Sequence, residues 1–319
     1  MRRFLRLFQK VGGREILRQY RQGHNLIFAL FLSIILGFNK KSLEILRLAV
    51  NNRLLKKLRK QYKQFLAEWK IKNHDSTIFE GRKTSFPRRV FICWFQGIEQ
   101  APDLVKRCYE SINQNITDRE IVLITEDNYE QYVQFPDYIQ EKIRSGIIPK
   151  AHMSDLLRLE LLTRYGGTWI DATVYCSDKC PSYMLDSELF LFQNLKPGLD
   201  GHATSISNWF ITADSGNKIL ELTLALLYDY WAKNDHLVDY FIFHDFFQLA
   251  IEVYPEEWRK VVPFSNSLPH ILLLRLFDPY NEKVWTAVKE QTSFHKLSYK
   301  FTEEQAQKEG TYYKELLGL

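Results

Sequence analysis

The chain is 319 residues long, with 45% hydrophobic, 14% aromatic and 25% charged residues and a formal net charge of +5. That balance excludes a disordered chain, a collagen-like chain and a polytopic membrane protein, and the length suffices for one large domain or a domain with an appendage. The charge is spread unevenly. Residues 1–72 hold 18 Lys and Arg against three acids (Glu15, Glu44 and Glu68), a net of +15, while the remaining 247 residues carry a net of −10. A basic N-terminal piece on an acidic body implies that the piece meets an anionic surface.

The N-terminal piece favours lipid over nucleic acid. Residues 26–38 (LIFALFLSIILGF) form an uncharged run of 13, short of the roughly 20 apolar residues that span a bilayer. Arg14, Arg18 and Arg21 precede the run, and Lys40 and Lys41 follow it. Residues 1–8 interleave Arg with Phe and Leu, and Leu43, Leu46, Val50, Leu54 and Leu58 recur at helical spacing among Lys56, Lys57, Arg59 and Lys60. The pattern predicts amphipathic helices lying on an anionic leaflet, or a hairpin dipping into it. The competing expectation is a helical subdomain packing its apolar stripe on the body. A secretory signal would need a small-residue cleavage site, but Asn39-Lys40-Lys41 follows the run. The basic stretch carries no known nucleic-acid reader motif, so no nucleic-acid partner is expected. Cys93, Cys108, Cys176 and Cys180 show no zinc-finger spacing and are expected as free thiols.

In chain order, residues 74–87 are polar and turn-rich and read as a linker. The expected division is a basic helical, membrane-associating segment with its linker over 1–80 and the body over 81–319. Residues 89–95 (RVFICWF) predict a buried strand broken at Gln96-Gly97, residues 102–113 a helix, and residues 120–125 (EIVLIT) a second strand. This β-α-β opening is the pattern of a parallel sheet covered by helices. Residues 128–148 read as helices, and residues 154–165 as an amphipathic helix capped by Ser154 and stopped by Gly166-Gly167. Residues 168–175 (TWIDATVY), 188–193 and 207–213 predict strands, and residues 218–232, 240–254 and 284–291 predict helices. The P-loop, the dinucleotide fingerprint, the nucleophile elbow and the zincin motif are all missing.

The chemistry concentrates in Ser154-Asp155-x-x-Arg158 followed by Gly166-Gly167-Thr168-Trp169-Ile170-Asp171-Ala172-Thr173. Asp155 and Arg158, three apart, share a helix face. Asp171 stands at the end of an apolar strand, and ligands of open α/β sheets bind beyond such ends. A carboxylate there can accept sugar hydroxyls or help hold a divalent ion on a diphosphate, and Arg158 offers a planar fork.

S-D-x-x-R followed by G-G-x-W-x-D-x-T resembles the signature of bacterial capsular polysaccharide synthesis proteins, which are similar to family 32 glycosyltransferases, sugar transferases with a DXD motif. The resemblance implies an α/β GT-A-like nucleotide-sugar-binding domain with a mixed central sheet, here preceded by the basic helical segment. It implies transfer of a sugar, with retention of configuration, from a nucleotide-sugar donor (a UDP-sugar) to a saccharide or lipid-linked oligosaccharide acceptor in cell-surface polysaccharide synthesis. Residues 86–97 resemble the family's opening strand, which would place Trp94 by the donor base with Gly97 close by. Asp155 and Arg158 would grip the donor sugar, and Gly166 and Gly167 would allow the turn. Asp171 matches the first Asp of DXD, whereas Thr173 replaces the second. The implied Mn²⁺ or Mg²⁺ would then be held by Asp171 and Thr173 with phosphates and water, or be dispensable.

Residues 294–300 resemble the family's closing H-K-L-x-x-K, so His295, Lys296 and Lys300 would neutralise the leaving diphosphate. Asn208, Trp209, His244 and Asp245 are acceptor-site candidates; His244-Asp245 reads equally well as a buried pair bracing its helix. The basic segment suggests a peripheral position on the cytoplasmic face of the membrane. The reading of a different class is a catalytically weak membrane-bound scaffold of a polysaccharide assembly complex, with Thr173 marking lost metal chemistry. A sugar-phosphate phosphotransferase is the third.

Overall fold

The structure, a computed structural model, describes residues 13–37, 39–74, 88–195 and 204–319. Residues 1–8 and the expected domain boundary at 80/81 lie outside the described residues.

Four helices open the chain: α1 (Gly13–Gln22), α2 (Leu26–Leu36), α3 (Lys40–Gln61) and α4 (Lys63–His74). The stripe on α3 divides its work. Leu46 and Val50 pack on Ala29 of α2, whereas Leu54, Leu55, Leu58 and, just past its end, Tyr62 enter the main core of the body. Helix α2 is apolar all round, so only one face can be covered by α3. Its other face leaves Ile27 85%, Ile34 75% and Ile35 62% exposed, with Leu30 and Phe31 beside them. At about 1.5 Å per residue the helix is roughly 16 Å long, about half a hydrocarbon core. Among the described residues no helix is long and apolar enough to cross a membrane.

The body is a mixed α/β layer. Strand β1 (Val90–Cys93) leads through α5 (Asp103–Asn115) to β2 (Ile121–Ile124), the expected parallel β-α-β unit. Then follow α6 (Asp137–Arg144), α7 (Lys150–Tyr165), β3 (Gly167–Ile170), β4 (Val174–Cys176), a short helix α8 (Ser182–Asp186), β5 (Leu189–Gln193) and β6 (Ile206–Ala213). Helices α9 (Lys218–Lys233) and α10 (Ile242–Val253) precede short helical segments, α11 (Glu282–Gln291) and β7 (Phe294–Lys296). The central sheet runs β2-β1-β3-β6-β5, with β1 parallel to β2 and β3, and β6 antiparallel to β3 and β5. Strands β4 and β7 form a separate antiparallel pair. One core lies between the sheet and α7, α9 and α10, and a second covers the opposite face. The mixed sheet and the helical N-terminal segment agree with the expectation from sequence.

Two local expectations are corrected. Ser154 is not a cap: α7 starts at Lys150 after Pro149, so Ser154 lies a turn inside, where its Oγ accepts from the Arg158 guanidinium at 3.3 Å. Residues 168–175 are not one strand. The ladder runs to Asp171, whose N–H bonds the Trp209 carbonyl at 2.8 Å, and the chain then turns, with Val174 N–H on the Asp171 carbonyl at 3.0 Å. A charged side chain cannot be carried further along a sheet buried on both faces, so the chain leaves it and β4 pairs with β7 instead.

The paired glycines have a steric reason. Gly166 and Gly167 have φ of +67° and +101°. A β-carbon on Gly167 would overlap the Arg89 carbonyl oxygen, to which Thr168 N–H bonds. Gly97 also has positive φ, but a β-carbon there meets open space. Gly167→Ala is therefore expected to lower the unfolding free energy by more than about 3 kcal/mol, and Gly97→Ala, from backbone strain alone, by about 1–3 kcal/mol. Urea unfolding of the two variants measures the contrast.

Candidate functional site

The break after β3 sets the site. Asp171 emerges at the carboxyl end of β3 with its side chain 27% exposed. Its Oδ1 accepts from Trp169 Nε1 at 2.9 Å and lies 3.5 Å from the Arg158 guanidinium; its Oδ2 accepts from Lys296 Nζ at 3.0 Å. Lys296 Nζ also donates to Thr173 Oγ1 at 2.5 Å. Helix α7 brings Asp155 and Arg158 beneath this rim. Arg158 is 6% exposed and stands 3.3 Å from Asp155 Oδ1. It lies 4.9 Å over the Trp169 ring and donates to the Asn208 carbonyl. Asn208 Nδ2 in turn donates to Asp155 Oδ1 at 2.9 Å. Asp155, Arg158, Asp171, Thr173, Asn208 and Lys296, spread over 142 positions of sequence, form one polar network.

The network is graded from inside to outside. Arg158 turns its fork inward and is engaged by protein oxygens, so it positions Asp155 and Asp171 rather than facing solvent. Asp171 and Lys296 stand at the open end. Burial pushes the Asp155 carboxyl up to about 7, with Asp171 adding to the rise and Arg158 opposing it. Burial would raise Asp171 too, but the charges of Lys296 and Arg158 and the bonds from Trp169 and Lys296 hold it below the usual carboxylate range. Two carboxylates are thereby pushed apart, one a permanent anion and the other a proton carrier near neutrality.

Strand alternation sorts the remaining candidates. On β6, Asn208 faces Asp155, whereas Trp209 points to the other face, stacked on Phe192 with ring centroids 4.4 Å apart and its Nε1 on Asn266. On β7, Lys296 faces Asp171, whereas His295 is fully buried beside Trp285, with Nε2 against Ser177 Oγ at 2.9 Å. Burial holds His295 neutral, at about 3. His244 and Asp245 do not form a pair, because consecutive helix residues do not face each other. Asp245 bonds Asn51 of α3 at 3.2 Å, while His244, held neutral by burial and by the Arg158 charge, sits between the Phe241 and Phe243 rings. Trp94 is half-buried, edge-on to Tyr299 at 5.7 Å, and among the described residues its indole N–H has no partner. Gly97 follows it, and Lys300 is exposed beyond β7.

Sequence reasoning missed His152 and Tyr240. His152 lies one turn before Asp155 on α7, buried, with Nδ1 3.6 Å from Asp155 Oδ2 and the Tyr240 ring 5.7 Å away. Burial, with the Arg158 charge adding, lowers it to about 4. Tyr240 is 55% exposed, and its hydroxyl is raised by burial and by Asp155 and Asp171. A lone His in an apolar helix and a Tyr in a loop carry no spacing signal.

A divalent ion does not suit these groups. Such ions need several oxygen ligands not already facing a cation, yet Asp171 is paired with Lys296 and Arg158, and the Thr173 hydroxyl receives the same Lys296 ammonium. Among the described residues no group of three or more His, Cys, Asp or Glu could hold a metal.

A family model described as capsular polysaccharide synthesis protein matches residues 36–316. Among solved structures, one named "PaToxG Glycosyltransferase" is 14% identical, with 85% of this chain and 96% of that chain covered at a TM-score of 0.38. Curated proteins give no match.

The Asp155 shift fixes a pH dependence. Between its usual value near 3.9 and about 7 the folded chain holds a proton that the unfolded chain has released. Asp155 therefore costs stability as pH rises through that window. His152 and His244, lowered to about 4 and about 3, act in the opposite direction in wild type and variant alike. The unfolding free energy of Asp155→Asn relative to wild type is expected to rise from pH 4 to 7 by on the order of 1–3 kcal/mol. Urea midpoints across that range measure it, and a flat difference would contradict the assignment.

Proposed function

From this chain's membership of the capsular polysaccharide synthesis protein family, we propose that it is a glycosyltransferase, moving a sugar from a nucleotide-sugar donor to a saccharide acceptor. The observation that carries the proposal is the placement of Asp171: a carboxylate at the open carboxyl end of a central strand, joined to Lys296, Arg158 and Asp155 in one network. Ligands of open α/β sheets bind at that position. Glycosyl transfer needs negative charge stabilised on a departing diphosphate and a site that excludes water. Lys296, at the rim, supplies the positive charge. Asp171 accepts donor-sugar hydroxyls, held in place by Arg158 and Trp169. Tyr299, exposed three residues beyond Lys296, and Trp94 in edge contact with it are the rings proposed for the donor base. Among the described residues no second carboxylate stands ready as a nucleophile on the rim, which favours front-face attack by the acceptor hydroxyl and retention of configuration. Asn208, bonded to Asp155, and the exposed Tyr240, beside His152, are the groups proposed to meet the acceptor.

The acceptor reading extends to the membrane. The exposed face of α2 (Ile27, Leu30, Phe31, Ile34 and Ile35) is flanked by Arg14, Arg18 and Arg21 and by Lys41. An apolar helix face with basic residues before and after it in the chain suits an anionic lipid surface, a placement that suits a lipid-linked acceptor at the cytoplasmic leaflet.

Purified full-length chain incubated with UDP- and GDP-sugars and saccharide acceptors is expected to release nucleoside diphosphate. Asp171→Asn should cut that release by about a hundredfold or more. An inert scaffold would release none, and a phosphotransferase would leave the monophosphate. For the membrane, Ile27→Glu with Ile34→Glu should abolish co-sedimentation with anionic vesicles while leaving the unfolding midpoint unchanged, and high salt should weaken binding of the wild type. Removing residues 1–72 is a poorer test, because it strips Leu54, Leu55, Leu58 and Tyr62 from the main core.

A further inference from the structure

We propose that the Lys296 ammonium takes the place of a divalent metal ion at the donor diphosphate, so that donor binding in this protein is independent of metal. The inference rests on the glycosyltransferase reading and names how that site meets its anionic ligand.

Three observations carry it. The first is occupancy of the ligand atoms. Lys296 Nζ lies 3.0 Å from Asp171 Oδ2 and 2.5 Å from Thr173 Oγ1, the two side chains at the ends of the D-x-T triplet. An ammonium has three donors and no acceptor. With two engaged, one remains for a phosphate oxygen at the rim. The second is charge. A two-carboxylate triplet needs a divalent cation, whereas Asp171 with the neutral Thr173 needs a single positive charge. Lys296 provides it, and Arg158 adds another 3.5 Å from Asp171. A metal ion would have to approach one carboxylate already shared by two cations, which repel it. The single charge of the Asp171–Thr173 pair and the single charge of the Lys296 ammonium therefore match.

The third is fixation. Strand β7 is laid along β4 with Val174 opposite Lys296, and Leu297 N–H donates to the Thr173 carbonyl at 2.9 Å. The lysine backbone is thus stitched to the triplet it serves. Its neighbour His295 is turned into the core, so the alternation of the strand commits Lys296 to the rim. A cation held by the chain in this way is in place before the donor arrives, as electrostatic preorganisation requires.

The test is isothermal titration of the full-length chain with UDP and with GDP, in excess EDTA and in excess Mn²⁺. Wild-type affinity for the nucleotide that binds is expected to agree within about twofold between the two conditions. Lys296→Ala should weaken binding in EDTA by about tenfold or more. Mn²⁺ should then restore part of that loss, because Asp171 and Thr173 have been freed. Lys296→Arg keeps the charge and should retain most of the affinity. Unfolding midpoints show whether each variant is folded, and the wild-type comparison stands without any variant. Binding by the wild type that needs Mn²⁺, or unchanged binding by folded Lys296→Ala, would overturn the proposal and leave the glycosyltransferase reading standing. No binding of either nucleotide in both conditions would overturn both.

Discussion

The site depends on a conflict between a carboxylate and a sheet. Strand β3 is buried on both faces and flanked by β1 and β6, so an anion can be tolerated only at its end. Asp171 is at that end, and the chain turns there rather than carry the charge inward. The turn exposes the carboxylate, sends β4 out to pair with β7, and thereby brings Lys296 across 125 positions of sequence to the same anion. A structural cost in the sheet and a polar site at its edge thus have one origin.

The groups behind the rim hold that anion in place. Arg158 is buried between Asp155 and Asp171 and lies over the Trp169 ring. A buried guanidinium is tolerable only when paired and hydrogen-bonded, and here its partners include the Asn208 and Ser154 carbonyls as well as the two acids. Asp155 answers to the same network with the opposite outcome. It is more deeply enclosed and stays near neutrality in its titration, whereas Asp171, facing two cations, remains an anion. Two identical side chains acquire different chemistry from burial and neighbours alone.

The N-terminal helices serve two masters. The second half of α3 is part of the body, fixed by Leu54, Leu55 and Leu58 in the core and by the Arg59–Glu252 ion pair on α10. The first half carries α2, whose outer face nothing among the described residues covers. The expectation of a helical subdomain packed on the body describes the second half of α3, and the exposed face of α2 is the part proposed to meet lipid. The packed end gives the exposed end a rigid connection to the body.

Sequence by itself determined the local and chemical elements: the β-α-β opening from two short apolar runs, the helices from their 3.6-residue period, the backbone demand at Gly166-Gly167, and Asp155, Arg158 and Asp171 as a unit. These are legible because each depends on residues within about one element of one another. Tertiary structure alone decided which side chains meet. It separated His244 from Asp245, turned Trp209 and His295 into the core while leaving Asn208 and Lys296 facing the acids, and brought His152 and Tyr240 to the network. The reason is physical. In a strand, or between helix neighbours, facing is a matter of register, and a shift of one residue exchanges rim for core. Strand β7 has three residues, too few to show a period, yet its register against β4 is what places the ammonium on the carboxylate.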